Sequence, residues 1–288
     1  MLAKIVTNTA CKTLELLINL LFWGMRSITK NTFSHSILLL LLLPVLFSCN
    51  NPDKISNDKA KVDTKPAQPP IILASLNAIA PDSVRKNFKN LISVADCVSP
   101  LGKYTTQVNS DSGGYLYFRQ VFSYRPEPFE AVLLKESAWF KLGDSTGILP
   151  SALVSTVRNQ ALLTVPLELE QRFHSFENGG TVESQNKKLQ KVKAIDAQGH
   201  YSAFYFDTTN RRLVVWEFIN PERRIDTILV RFSDWKNTNG FNLPFHIDIL
   251  QAKKQFAFNF TKIEINTTDF KRIMFSPAKL SRQSGKKK

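Results

Sequence analysis

Three cysteines in 288 residues leave little room for disulfide chemistry. Cys11 precedes a signal-like run, Cys49 ends it, and Cys97 stands alone downstream. A lone thiol closes no internal bridge, so a domain built around Cys97 must be held by its core. Long apolar runs are also missing. Ile37–Phe47 has eleven residues, whereas a helix needs about 20 to cross a bilayer core. Leu14–Trp23, with ten, is too short as well. The sequence has no Gly-x-Ser-x-Gly, His-Glu-x-x-His, phosphate loop or Cys-x-x-Cys, so it offers no recognisable catalytic or metal signature. Acidic residues are outnumbered, 24 against 38 Lys and Arg.

What is present begins with that short oily run. Its length suits the apolar region of a secretion signal, about 7–15 residues, and Arg26 and Lys30 supply the positive flank. Residues 25–48 therefore read as a complete signal peptide starting at Met25. Residues 1–24 are either an over-long gene start or an extra leader; the alternative is that Leu14–Trp23 is a real amphipathic segment. The run ends in Leu46-Phe47-Ser48-Cys49, which resembles a bacterial lipobox. Ser48 is the small residue before the scissile bond, and Cys49 is the thiol that would carry a diacylglyceryl group; Phe47 departs from the smaller residue usual there. Two or three acyl chains, at about 0.8 kcal/mol per buried methylene, anchor a protein stably. Cys49 is thus the expected lipidation site and membrane tether. Asn50 after that cysteine resembles the sorting pattern for the outer membrane.

Residues 49–70 hold charges, Asn and Pro with almost no large apolar residue, a composition that cannot bury a core and suits a flexible spacer. Setting aside Lys4, Lys12, Arg26, Lys30 and Glu15 leaves 34 basic and 23 acidic residues, a net of +11. This excess favours an anionic membrane face or an acidic partner. Its scatter along the chain argues against nucleic acid. A folded domain is expected over 71–276, followed by a basic tail over 277–288.

Within that domain, Pro81-Asp82-Ser83 reads as a helix start, with Val84, Phe88, Leu91, Ile92 and Ala95 at helical spacing. A second helix is expected over Ser151–Leu163, where Leu153, Val154, Val157 and Ala161 align after Pro150, and Leu167–Phe176 is a candidate continuation. The rest alternates with period two: Leu116/Phe118/Phe122 with Gln120 as the odd member, Val214/Trp216/Phe218, Ile228/Val230/Phe232, Phe245/Ile247/Ile249 and Phe256/Phe258/Phe260. Asp207-Thr-Thr-Asn-Arg and Asn237-Thr-Asn-Gly240 punctuate hairpins, so the C-terminal half reads as an antiparallel meander. One sheet face would then carry more aromatic surface than water tolerates. The expected fold class is α+β, a strongly curved antiparallel sheet, or half-barrel, wrapped around two or three helices.

Several segments are similar to a known family. Gly114–Phe129 carries a basic residue and Pro before an aromatic strand, with Trp139-Phe-Lys-Leu-Gly after it. Phe204-Tyr-Phe-Asp-Thr-Thr-Asn-Arg-Arg-Leu-Val resembles a hairpin of the form Tyr-Phe-Asp-x-x-Thr-x-x-Leu. Phe232-Ser-Asp-Trp through Gly240-Phe-Asn-Leu-Pro-Phe resembles "Phe-Ser-Asp-aromatic … Gly-x-x-Leu-Pro", and Phe258–Asn266 closes the set. Together, over Val84–Phe275, the chain resembles the outer-membrane lipoprotein carrier-like superfamily. It departs from that pattern at Thr208, where the family has Pro, and in lacking Gly after Asn210. The soluble carrier is not lipidated, so the resemblance points to anchored relatives that bind lipid or sense envelope state.

The expected function is binding of lipid, acyl chains or another apolar ligand along Phe118, Phe122, Trp139, Phe204, Phe206, Trp216, Phe256 and Phe258. The alternative is an envelope lipoprotein with a filled core and a protein partner. No catalytic residue, metal ligand or cofactor is expected. His200 follows a turn, His246 alternates with apolar neighbours and faces water, His174 lies in no signature, and Asp207 and Asp234 read as turn caps. Cys97 reads as a small buried hydrophobe at a helix end.

Overall fold

Side-chain alternation organises most of the chain from Asn90 onward. The computed structural model describes residues 68–275, apart from 136, 185, 198 and 221–225. The expected leader, signal peptide and Cys49, the spacer up to 67 and the tail lie outside the described residues. Thirteen strands run through the described part: β1 (Asn90–Ser99), β2 (Gly102–Asp111), β3 (Tyr115–Phe122), β4 (Phe129–Leu134), β5 (Ser137–Leu142), β6 (Ser145–Ile148), β7 (Phe173–Ser184), β8 (Lys187–Asp196), β9 (Tyr201–Asp207), β10 (Leu213–Ile219), β11 (Thr227–Thr238), β12 (Phe241–Gln251) and β13 (Lys254–Ile265). They form one sheet in the order β6-β5-β4-β3-β2-β1-β13-β12-β11-β10-β9-β8-β7. Every pairing is antiparallel. Two meanders therefore meet along β1 and β13, and the sheet is open, with β6 and β7 as its edges.

Tight turns enforce this connectivity. The expected four-residue link at 237–240 narrows to Asn239 and Gly240, with φ 53° and 84°, between the paired Thr238 and Phe241. Positive φ at both central residues is the twist a two-residue hairpin requires.

The helices differ from expectation. Helix α1 (Pro70–Ile79) starts with proline in its first turn and buries Ile71, Ile72, Leu76 and Ile79; the reading above missed it. The expected helix from Val84 is only the single turn α2 (Asp82–Arg85). Leu91 to Ala95 instead belong to β1, where Leu91, Ser93, Ala95 and Cys97 point inward. The helical spacing of Leu91 and Ala95 also satisfies a period of two, and the small Ser93 between them hid the alternation. Helix α3 (Ser151–Asn159) lies where expected and buries Leu153 and Val157. A 3-10 turn (Leu162–Thr164) and α4 (Leu169–Arg172) follow, and β7 begins at Phe173, so the expected continuation to 176 stops short. Helix α1 packs against β12, α3 against β4 and α4 against β7.

In β13 the register shifts between Val94 and Ala95 of β1, which face Lys262 and Phe260 and leave Thr261 as the extra residue. A bulge moves every later side chain to the other face. Phe258 is buried before it, and Ile263 and Ile265 are buried after it, so one strand serves the inner face through both parities.

After β13 the chain turns back over the opposite face of the sheet. Asn266 accepts from the Lys89 amide at 2.7 Å and donates to Asn87 O at 2.9 Å. The Ile273 amide donates to the Tyr115 hydroxyl at 2.7 Å, and that hydroxyl lies 2.9 Å from Ile273 O. Phe270 and Phe275 cover a second apolar cluster of Tyr115, Tyr117 and Val132, joined by Leu134 and Trp139.

Candidate functional site

The registers place seven of the eight expected rings on a single face. Phe118 pairs with Val108, Phe122 with Tyr104, and Tyr104 with Cys97. Cys97 pairs with Phe258, Phe258 with Ile247, and Phe256 with Ile249. Ile249 pairs with Val230, Val230 with Trp216, and Trp216 with Phe204, with Phe206 two residues on. Cross-strand partners share a face, so these residues form a continuous wall. Phe118, Phe204 and Phe206 are 0% exposed, Trp216 3%, Phe258 4% and Phe122 7%. Phe256 is half-buried.

Trp139 is the exception. It pairs with Val132, which pairs with Tyr117. It therefore belongs to the opposite face, beneath Phe270 and Phe275. Adjacent strand residues point oppositely, and Phe140, paired with Ala131, takes the inner position. In β6, a Cβ added at Gly147 would lie 2.6 Å from Phe140 Cε1, so glycine is what allows this ring to lie across the edge strand. The sequence reading also missed Tyr104, Phe129 and Phe173; alternation of Tyr104, Thr106 and Val108 was the available signal for the first.

The rings gather in two groups. Tyr104 stacks on Phe122 at 5.3 Å and meets Phe258 edge-on at 6.2 Å, while Phe118 meets Phe129 edge-on at 6.2 Å. On the other arm Phe173 meets Phe204 edge-on at 4.9 Å, Phe204 stacks on Trp216 at 6.2 Å, and Trp216 stacks on Phe218 at 4.3 Å. Such pairs contribute about 0.5–1.5 kcal/mol each beyond burial. The buried Trp216 Nε1 donates to Ser202 Oγ at 3.2 Å.

Small residues on β1 make the first group possible. Ala95 and Cys97 leave room for rings from β2 and β13 to meet above them. Burial pushes the Cys97 thiol up to about 12, and its Sγ lies 3.5 Å from Thr106 Oγ1. The thiol is thus buried as expected, but mid-strand rather than at a helix end. Thr106 pairs with Gln120 on β3, so polar groups lie within the aromatic wall.

The two ends of the wall differ. At one, Phe88 meets Phe241 edge-on at 6.1 Å and Asn242 Nδ2 donates to Ala78 O at 2.9 Å, beside α1 and α2. At the other lie the β1–β2 and β3–β4 connections and the ends of β10 and β13, with Leu101 43% and Tyr124 44% exposed and Phe218 and Phe256 half-buried. Arg125 follows Tyr124; its Nη1 is buried without a hydrogen-bond partner among the described residues, and its Nε lies 3.8 Å from Glu127.

Other titratable residues hold structural posts. Asp207 Oδ1 accepts the Thr209 amide at 2.8 Å, a turn cap as expected. Asp234 is not one: it lies within β11 at φ 52° and pairs with Lys236 at 2.7 Å. Burial disfavours charge on His246, but the bonds to Asn259 at 2.7 Å and Asp248 at 3.1 Å outweigh it and raise its pKa. His200 bonds Asp196 at 3.0 Å beside the β8–β9 turn. A polar cavity of about 430 Å³ lies against Lys89, Asp111, Ser112, Phe270 and Arg272, on the side where the C-terminal segment crosses.

No family model matches the sequence, and no curated protein does. Solved structures do. A LolA superfamily protein from Nitrosomonas europaea aligns at TM-score 0.49 and 12% identity, over 69% of this chain and 93% of that one. A domain assigned to outer-membrane lipoprotein sorting from Vibrio parahaemolyticus aligns at 0.48 and 11%, over 68% and 94%. A DUF1329 family protein from Desulfovibrio piger aligns at 0.50 and 10%, over 70% and 95%. At these identities the likeness concerns the fold alone, which this chain shares with the Desulfovibrio piger protein.

Proposed function

We propose that this chain is an exported, lipid-anchored binding module that takes acyl chains or another apolar ligand against its ring-lined wall. The supporting observation is the continuity of that wall, which runs from Phe118 through Phe258 and Trp216 to Phe206 across eight neighbouring strands. A concave apolar surface with few polar groups suits ligands without directional chemistry. In this reading the sheet curves around the segment 149–172, which joins the two edge strands. The buried Leu149, Leu153, Val157, Leu162, Leu163 and Leu169 are the counterpart of the wall. This segment contributes no strand to the sheet, and in this reading it gives way to an incoming chain. Entry is at the end bearing Leu101, Tyr124 and Phe256, beside the positive charge of Arg125. Cys49 fixes the module to the membrane, most consistently the outer membrane, and the chain is not an enzyme.

Native mass spectrometry of protein extracted in mild detergent tests this. An apolar adduct is expected, removed by organic extraction and replaced by added palmitate. A folded protein that emerges empty and takes up no palmitate overturns the reading. A second reading, an envelope lipoprotein with a filled core and a protein partner, draws on the complete burial of Phe118, Phe204 and Phe206; it expects no adduct and a crosslinked partner.

A further inference from the structure

Midway along the first group of rings stands a polar side chain whose oxygen has no partner among the described residues. Gln120 lies on the inner face of β3, two residues from both Phe118 and Phe122, and pairs across the sheet with Thr106 and Phe129. It is 7% exposed, and its Oε1 is buried without a hydrogen-bond partner among the described residues. In the register of this face Thr106 stands opposite Gln120, and Tyr104 and Cys97 follow on β2 and β1; the Cys97 thiol is directed at Thr106 Oγ1, 3.5 Å away. A buried acceptor left unsatisfied is costly, and an apolar residue of similar size would fill the position without that cost. Nothing in the fold requires an amide there, since β3 is paired on both sides.

We infer that Gln120 is a specificity residue: its Oε1 accepts a hydrogen bond from the ligand, which is therefore an acyl compound bearing a hydroxyl or amide N–H close to its chain rather than a plain hydrocarbon tail. This rests on the wall being a ligand site. A plain chain passing Gln120 leaves the acceptor unsatisfied, whereas a donor-bearing chain satisfies it, the same asymmetry that lets polar pockets reject analogues lacking one group.

Three probes of equal chain length separate the sources of the donor: palmitate, 3-hydroxypalmitate and N-palmitoylglycine. They are offered at equal concentration to the full, detergent-solubilised chain after organic extraction, and occupancies are read by native mass spectrometry. The hydroxyl or the amide probe is expected to exceed palmitate by about tenfold, and Gln120→Leu is expected to erase that preference while still binding palmitate. Gln120→Met, which keeps the length of the side chain, serves as the second variant should leucine not fold. Both variants are expected to melt above the wild type when empty, because the orphaned acceptor is gone. A wild type without preference, or a variant that keeps it, overturns the inference while leaving the lipid-binding reading intact. A wild type that binds none of the three removes both.

Discussion

At the residue scale, the instructive positions are those where backbone and side chain disagree. Arg211 occupies the place after Asn210 where the similar hairpins carry glycine, and it holds φ at 65°. Its amide donates to Asp207 O at 2.8 Å, closing the β9–β10 turn. A left-handed non-glycine residue costs about 1–2 kcal/mol, against about 0.5–1 kcal/mol of extra unfolded-state entropy for glycine. Arg211→Gly is therefore expected to leave stability unchanged or raise Tm by about 1–3 °C, measured by thermal melting; a clear fall would mean the arginine side chain, not the backbone, secures the turn. The rings were legible because every alternate residue in their strands is large. Trp139 was misplaced because an aromatic pair, Trp139-Phe140, gives parity no purchase: both neighbours look equally suited to the wall.

At the element scale, legibility followed contrast. Strands β12 and β13 largely alternate bulky with polar residues, and the hairpin at Asn239-Gly240 fixes its own geometry. Strand β1 does not, because its inner face is deliberately small where Tyr104 and Phe258 meet above Cys97. Its Leu91 and Ala95 then mimicked a helix stripe. Helix α1 hid for the opposite reason: its buried stripe sits directly after a proline-rich, polar stretch whose composition suggested continuing spacer. The returning C-terminal segment left no periodic signal at all, since it is held by Asn266, Tyr115 and Arg272, with Arg272 Nε donating to Asp111 Oδ2 at 2.7 Å. Phe270, edge-on to Tyr115 at 6.0 Å, is one of its apolar contacts, with Phe275. Phe270→Ala is expected to cost about 1–3 kcal/mol, a fall in Tm of about 2–4 °C per kcal/mol. It should also raise exposure of the Trp139 indole to an aqueous fluorescence quencher; unchanged quenching would separate the segment from that cluster.

At the scale of the whole molecule, the proposed anchor and the wall rest on separate residues. The proposed Cys49 tether rests on residues 46–49 and the wall on alternation more than sixty residues later, so each is testable without the other. Cys49→Ser is expected to move the protein from the membrane to the soluble exported fraction, followed by cell fractionation, while melting temperature and palmitate binding stay as in the wild type; persistence in the membrane fraction would assign the attachment elsewhere. The circular logic of the sheet carries a different consequence. Its first and last strands lie side by side, and Lys89 touches Asn266 from 177 positions away, whereas every other ladder joins strands consecutive in the chain. Each arm can therefore assemble by itself as the chain is released, but the seam must wait for the final strand, a late and entropically costly closure. A cut in the turns between Asn159 and Leu169 would sever no ladder, leaving two separately made halves with a complete edge by which to find each other.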